Sequence, residues 1–189
     1  YSFADTAQLR RINIPNTIKN FSTKAIINTP SLRRIMYESN DEFVVMSDRS
    51  VYKKDRTLIF VPRNIAVYII QPNCEIVCSG AFCGPIIEKV TFSDNLTKRI
   101  NSFAFAHSTG LKEFQFPSSI QYIGEDAFID CQNLETVTFE SKCQIKEIPK
   151  FCFAFSGLTA ISFPKSIRKL NHSCFYFCQN LKMIDLYNT

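Results

Sequence analysis

One six-residue pattern returns along this chain at a nearly constant interval. That interval limits the possible folds more than any other feature. The pattern is L-x-x-I-x-F, and its first residue falls at Leu9, Leu32, Ile87, Leu111, Leu134, Leu158 and Leu181. From Ile87 onward the steps are 24, 23, 24 and 23 residues, and the first step is also 23. A second anchor keeps the same register. A small residue followed by an aromatic one recurs as Ala81-Phe82, Ala104-Phe105, Ala127-Phe128, Cys152-Phe153 and Cys174-Phe175. Ala25-Ile26 takes the same place near the start, and Ser2-Phe3 reads as the remnant of a cut unit.

The spacing within a unit has a physical reading. In L-x-x-I-x-F the fourth and sixth residues alternate with polar ones, which is the period of a half-buried strand. Proline follows at Pro15, Pro117 and Pro164, where it ends the strand because it has no N–H for a ladder. Ser, Asn and Lys then turn the chain. The pairs Ile120/Ile123, Ile145/Ile148 and Ile167/Leu170 carry it back along the other side. A tight turn holding the small-aromatic pair closes the coil. One coil cannot bury its own apolar residues, so stability belongs to a stack in which each coil covers the next. The expected fold is β-dominated α/β. It is a solenoid or curved rod of about eight coils of 23–24 residues, with one parallel sheet at a strand spacing of about 4.8 Å and Phe105, Phe128, Phe153 and Phe175 piled in one row. A single domain over 1–189 accounts for the whole length. Tyr1 begins inside a unit and Thr189 follows a strand, with no polar cap at either end, so the chain reads as a piece of a longer one.

Residues 38–66 break the rhythm. Phe43–Met46, Ser50–Tyr52 and Thr57–Val61 are β-rich, and Lys53–Arg56 is a polar four-residue turn, so a hairpin is expected near 43–62. It projects from the solenoid, widens it or covers a coil. Residues 67–86 return to the pattern through Ile70, Cys74, Val77 and Ala81-Phe82.

The chemistry-bearing residues follow the repeat. Eight cysteines suggest disulfides, but Cys152 and Cys174 replace core Ala, and Cys74 replaces core Ile. Buried thiols are the expectation, with Cys152–Cys174 the one pair on adjacent coils within bridging reach. Cys74, Cys78 and Cys83 lack a CxxC pair and a second ligand cluster, so no metal site is expected. His107 and His172 sit in turns away from any Cys or Asp suited to a triad. No catalytic residue and no cofactor are therefore assigned. The net charge is +5, yet no stripe of cations with interleaved aromatics argues for nucleic acid. No apolar run of about 18 residues argues for a membrane span. Sequons at Asn20, Asn95 and Asn171 are about what chance would give. Asn171 takes the turn place of Gly124, which asparagine tolerates.

The surface candidates lie on the outward row of the sheet. Leu9 to Ile12 and Leu32 to Ile35 carry the same arginine pair, Arg10 with Arg11 and Arg33 with Arg34. Strand alternation turns Arg11 and Arg34 to solvent on neighbouring strands. Charges about 6 Å apart in water repel by only about 0.7 kcal/mol, so the cluster is tolerable as a solvated face or as an anion site. Further along, Lys89, Glu113 and Gln115 face outward in a mixed, mostly small row with Thr91, Thr136, Thr138, Ala160, Ser162, Met183 and Asp185.

These motifs resemble the BspA-like class of leucine-rich repeats, whose units read approximately L-x-x-I-x-I-P-x-S-V-x-x-I-G-x-x-A-F-x-x-C-x-x. Leu111 to Asn133 follows that consensus almost position by position, and Tyr52–Ile59 is similar to an insertion that such chains often carry. The resemblance implies a bacterial or anaerobic-protist surface protein, exposed at the cell surface or secreted. It implies adhesion to host matrix or to other cells through a protein or sulfated glycan. The expected contact residues are Arg10, Arg11, Arg33, Arg34, Lys89, Glu113 and Gln115. The alternative is an intracellular scaffold in the cytoplasm.

Overall fold

The computed structural model describes residues 2–18, 21–38 and 42–186. Tyr1, Asn20 and Thr189, on which three expectations rest, lie outside them, as do residues 39–41 of the irregular segment. In chain order the strands are β1 (Arg11–Ile14), β2 (Arg34–Tyr37), β3 (Phe43–Val45), β4 (Val51–Lys53), β5 (Thr57–Phe60), β6 (Val67–Ile70), β7 (Ile76–Val77) and β8 (Lys89–Phe92). They continue as β9 (Arg99–Ile100), β10 (Glu113–Phe116), β11 (Tyr122–Ile123), β12 (Thr136–Phe139), β13 (Glu147–Ile148), β14 (Ala160–Ser162), β15 (Lys169–Leu170) and β16 (Met183–Asp185). The helix content among the described residues is one 3-10 turn, Thr23–Ile26.

The L-x-x-I-x-F strands form a first row, in which every pairing is parallel: β1 with β2, β6 with β8, and β10, β12, β14 and β16 in sequence. The registers match the repeat, with Arg11 opposite Arg34 and Glu113 opposite Thr136. The turns after the strands are alike. Ile18, Ile120 and Ile167 each donate their N–H to the carbonyl of Pro15, Pro117 and Pro164 at 3.1 Å. The return side of the coil is also strand, so the stack has a second row. There β5, β7, β9 and β11 pair in parallel, and β13 pairs with β15.

The third side of each coil is an arch carrying the small-aromatic pair. The N–H groups of Phe82, Phe105, Phe128 and Phe153 donate to the carbonyls of Ala104, Ala127, Cys152 and Cys174 on the next coil at 2.8–2.9 Å. That ladder holds the rings in one pile. Phe82, Phe105, Phe128, Phe153 and Phe175 stack in succession with centroids 4.6, 4.8, 5.5 and 5.9 Å apart. The arch position three residues beyond the ring belongs to a small donor. Ser108 Oγ, Cys131 Sγ and Cys178 Sγ donate to the carbonyls of Phe82, Phe105 and Phe153 at 3.0, 3.2 and 3.0 Å. All eight cysteines are free. Cys152 and Cys174 are buried as core residues.

The irregular segment is the expected hairpin, with β3 added. β3 pairs antiparallel with β4 and β4 with β5, and β5 then joins the second row beside β7. Every residue of β5 is buried. Val51, Ile59 and Phe60 complete a core with Ile12, Ile26, Leu32 and Ile35, while Tyr52 and Leu58 face the long core of the later coils. The hairpin therefore extends the second row by β4 and β3 and partitions the interior.

That coil carries no small-aromatic arch, and Arg63 takes over part of its bonding. Its guanidinium is buried at 4% exposure. It donates to the carbonyls of Ala81 at 2.7 Å, Gly80 at 2.5 Å and Val61 at 3.1 Å, and lies over the Phe60 ring. Burial pulls its pKa down to about 10, so it stays charged at neutral pH. Gly84 passes so close that an added Cβ would lie 2.9 Å from Arg63 Cδ.

Candidate functional site

The outward face of the first row is set by strand alternation. Arg11, Arg34, Lys89, Glu113 and Gln115 are exposed, while Ile12, Ile35, Val90, Phe114 and Phe116 point into the core. Arg10 and Arg33 flank the pair at the strand starts, both exposed, and the Arg33 N–H donates to the Arg10 carbonyl at 2.9 Å. The structure thus brings the four arginines together on β1, β2 and their approach segments. Lys89, Glu113 and Gln115 form a separate group on β8 and β10, where Lys89 Nζ lies 3.0 Å from Glu113 Oε1. Both partners are well exposed, so the ion pair contributes little stability.

Two features of this face escape the repeat pattern. Strand β6 supplies outward Val67 and Ile69, exposed at 60% and 55% and placed opposite Lys89 and Thr91. Its signal was Ile65-x-x-Tyr68-x-Ile70, 22 residues before Ile87, hidden in an apolar run. In addition, β8 and β10 are not ladder neighbours. A crevice of about 240 Å³ lies over β8, β10 and β12, lined by Lys89, Thr91, Glu113, Gln115, Thr136 and Thr138 among others. The face therefore reads as a basic end, an apolar strip on β6, and a polar crevice.

Two turn positions differ from the sequence expectation. His107 is not isolated, because its Nδ1 lies 2.8 Å from Asp130 Oδ2, one coil along. Both residues occupy the second place after the arch phenylalanine with positive φ, 58° and 59°, so the repeat itself brings them together. The neighbouring hydroxyl, Ser108 Oγ, is committed to the Phe82 carbonyl. Gly124 and Asn171 do share a place, where each donates its N–H to the carbonyl of the preceding coil, Ile100 at 2.8 Å and Ile148 at 3.0 Å. Neither has a left-handed backbone. Glycine is present because a Cβ at Gly124 would lie 2.2 Å from the Ser102 nitrogen.

Among the described residues no group of three or more His, Cys, Asp or Glu side chains could hold a metal ion, and no helix is long and apolar enough to cross a membrane. Burial raises the thiols of Cys74, Cys131 and Cys152, with Cys74 pushed up to about 12.

The chain matches the BspA type leucine rich repeat region in six copies, over residues 1–98 and 75–189. No curated protein matches it. Among solved structures it is similar to a leucine-rich repeat protein from Eubacterium ventriosum, with 23% identity over 93% of this chain and 48% of that one, at a TM-score of 0.80. It is also similar to a leucine rich cell surface protein from Faecalibacterium prausnitzii, with 24% identity over 94% of this chain and 41% of that one, at a TM-score of 0.64. The pneumococcal vaccine antigen PcpA shares the fold at 17% identity and a TM-score of 0.55, over 96% of this chain and 56% of that one. The chain thus spans about half the length of each. Six copies covering the full sequence, on a stack whose ladders and aromatic pile follow the same period, establish that this chain belongs to the BspA-type leucine-rich repeat family.

Proposed function

We propose that this chain is a non-enzymatic recognition module of a cell-surface protein and that it holds a protein partner on the outward face of the first row. One observation carries the reading. Exposed Arg11 and Arg34 stand in register on neighbouring strands, and β6 of the same row presents exposed Val67 and Ile69. Arginine is enriched at protein interfaces, and apolar area concentrates at their core. A rigid array of strands loses little conformational freedom when it binds. The printed names of two structural neighbours, a cell surface protein and a vaccine antigen, support the surface role.

The test is capture of purified host matrix proteins, such as fibronectin, laminin and collagen, on a biosensor. The Arg11→Glu/Arg34→Glu variant is expected to bind at least tenfold more weakly than wild type, with an unchanged thermal midpoint. Equal binding by the variant would remove the basic end from the site. A second reading, an intracellular scaffold, is favoured by the eight free cysteines, which suit a reducing compartment. Cell fractionation of the full-length product separates the two.

A further inference from the structure

Among the described residues the second row is interrupted between β11 and β13. Its regular step is visible elsewhere. The N–H groups of Lys98 and Arg99 both donate to the Glu75 carbonyl, those of Gln121 and Tyr122 to the Lys98 carbonyl, and those of Arg168 and Lys169 to the Lys146 carbonyl, at 2.7–3.2 Å. The equivalent bonds from Lys146 and Glu147 to Gln121 are missing among the described residues. Two sequence features remove them. Glu147 follows Phe139 by eight positions, whereas Tyr122 follows Phe116 by six and Lys169 follows Phe163 by six. The chain then reaches Pro149 at the place from which Gly124 and Asn171 donate across coils, and proline has no N–H to give.

The result is an open groove of about 720 Å³, lined by Gln121, Tyr122, Gln144, Lys146, Arg168 and Lys169 among others. The N–H groups of Lys146 and Glu147 thus lack their acceptor on the β11 side, while the Lys146 carbonyl accepts from Arg168 and Lys169 at the start of β15. Three cations surround them, all exposed. Lys146 has no acidic partner among the described residues. Arg168 is held in place by the carbonyls of Lys165 and Ile167. Among the described residues Lys169 pairs with Glu147 alone, at 3.9 Å and with both side chains more than half exposed, so that pair is weak. Arg99 lies over the Tyr122 ring, 4.1 Å from its centroid, on the side of β9. Tyr122 itself lines the groove and is exposed.

The geometry points to a second binding site here, on the return side of the coils, for a sulfated polysaccharide. Sulfate and carboxylate oxygens would accept from the two free N–H groups and from Lys146, Arg168 and Lys169. The Tyr122 face suits the C–H face of a sugar ring, and the Gln121 and Gln144 amides suit its hydroxyls. A peptide adding as a strand is disfavoured, because β11 and β13 are two residues long and offer too short an edge. This site is separate from the arginine end of the first row.

The experiment is calorimetric titration of the protein with a heparin-derived hexasaccharide and with its chemically desulfated form. Wild type is expected to bind the sulfated form, more weakly as salt rises, and not the desulfated one. Lys146→Ala/Lys169→Ala is expected to lose at least tenfold in affinity with an unchanged thermal midpoint. Arg11→Glu/Arg34→Glu is expected to bind as wild type does, which keeps this test independent of the protein-binding face. Equal affinity in the lysine variant, loss confined to the arginine variant, or equally tight binding of polyglutamate would each overturn the assignment.

Discussion

Single residues carry the departures from the average repeat. Gly124 is required by contact, since a methyl group there would meet the Asn101–Ser102 backbone. Gly124→Ala is therefore expected to cost about 2 kcal/mol or more. Arg63 substitutes for an absent arch. Arg63→Met would leave the Gly80 carbonyl unsatisfied in a buried place and is expected to cost about 3 kcal/mol. Urea unfolding of the two variants checks both values. Sequence alone does not place Arg63 inside, because arginine is normally a surface residue and its carbonyl partners come from a coil some 18 residues away. The thiols were easier to read, because Cys152 and Cys174 occupy positions that the repeat assigns to alanine. Six of the eight cysteines are buried, and only Cys78 and Cys178 are partly exposed. Burial keeps the six as poorly reactive thiols. A thiol reagent at neutral pH is expected to label no more than these two quickly, and all eight after unfolding.

At the scale of elements, the first row was legible because strand alternation and the proline stop recur in each unit. Strand β6 was legible only through its core residue Ile70, because the run Val67, Tyr68, Ile69 and Ile70 conceals the period of two. The interruption of the second row was also hidden. It depends on which N–H groups meet which carbonyls, and the same Ile-x-x-Ile spacing occurs at Ile120/Ile123 and Ile145/Ile148 with opposite outcomes. Amide exchange separates these cases. The N–H groups of Gln121, Tyr122, Arg168 and Lys169 are bonded across coils and are expected to exchange slowly. Those of Lys146 and Glu147 are expected to exchange at least a hundredfold faster, as free amides do. Equal protection at all six would close the gap and remove the groove.

At the scale of the whole molecule, three ladders and one aromatic pile make each coil the wall of its neighbour. The hairpin β4–β5 divides the interior but belongs to both parts, since Val51 and Ile59 face one core and Tyr52 and Leu58 the other. Both proposed binding faces are outer surfaces of this stack, one on each strand row, and neither would hold its shape without it. The candidate arginines were legible because they repeat with the unit. The groove cations were not, because they gather only where the repeat fails.

The most direct test is chemical unfolding of Phe128→Ala, which removes the ring between Phe105 and Phe153. The stacked-coil account predicts a loss of about 4 kcal/mol in a single transition, seen alike by probes in the first and last coils. A loss below about 1 kcal/mol, or a transition confined to the coils beside Phe128 while the others stay folded, would contradict it.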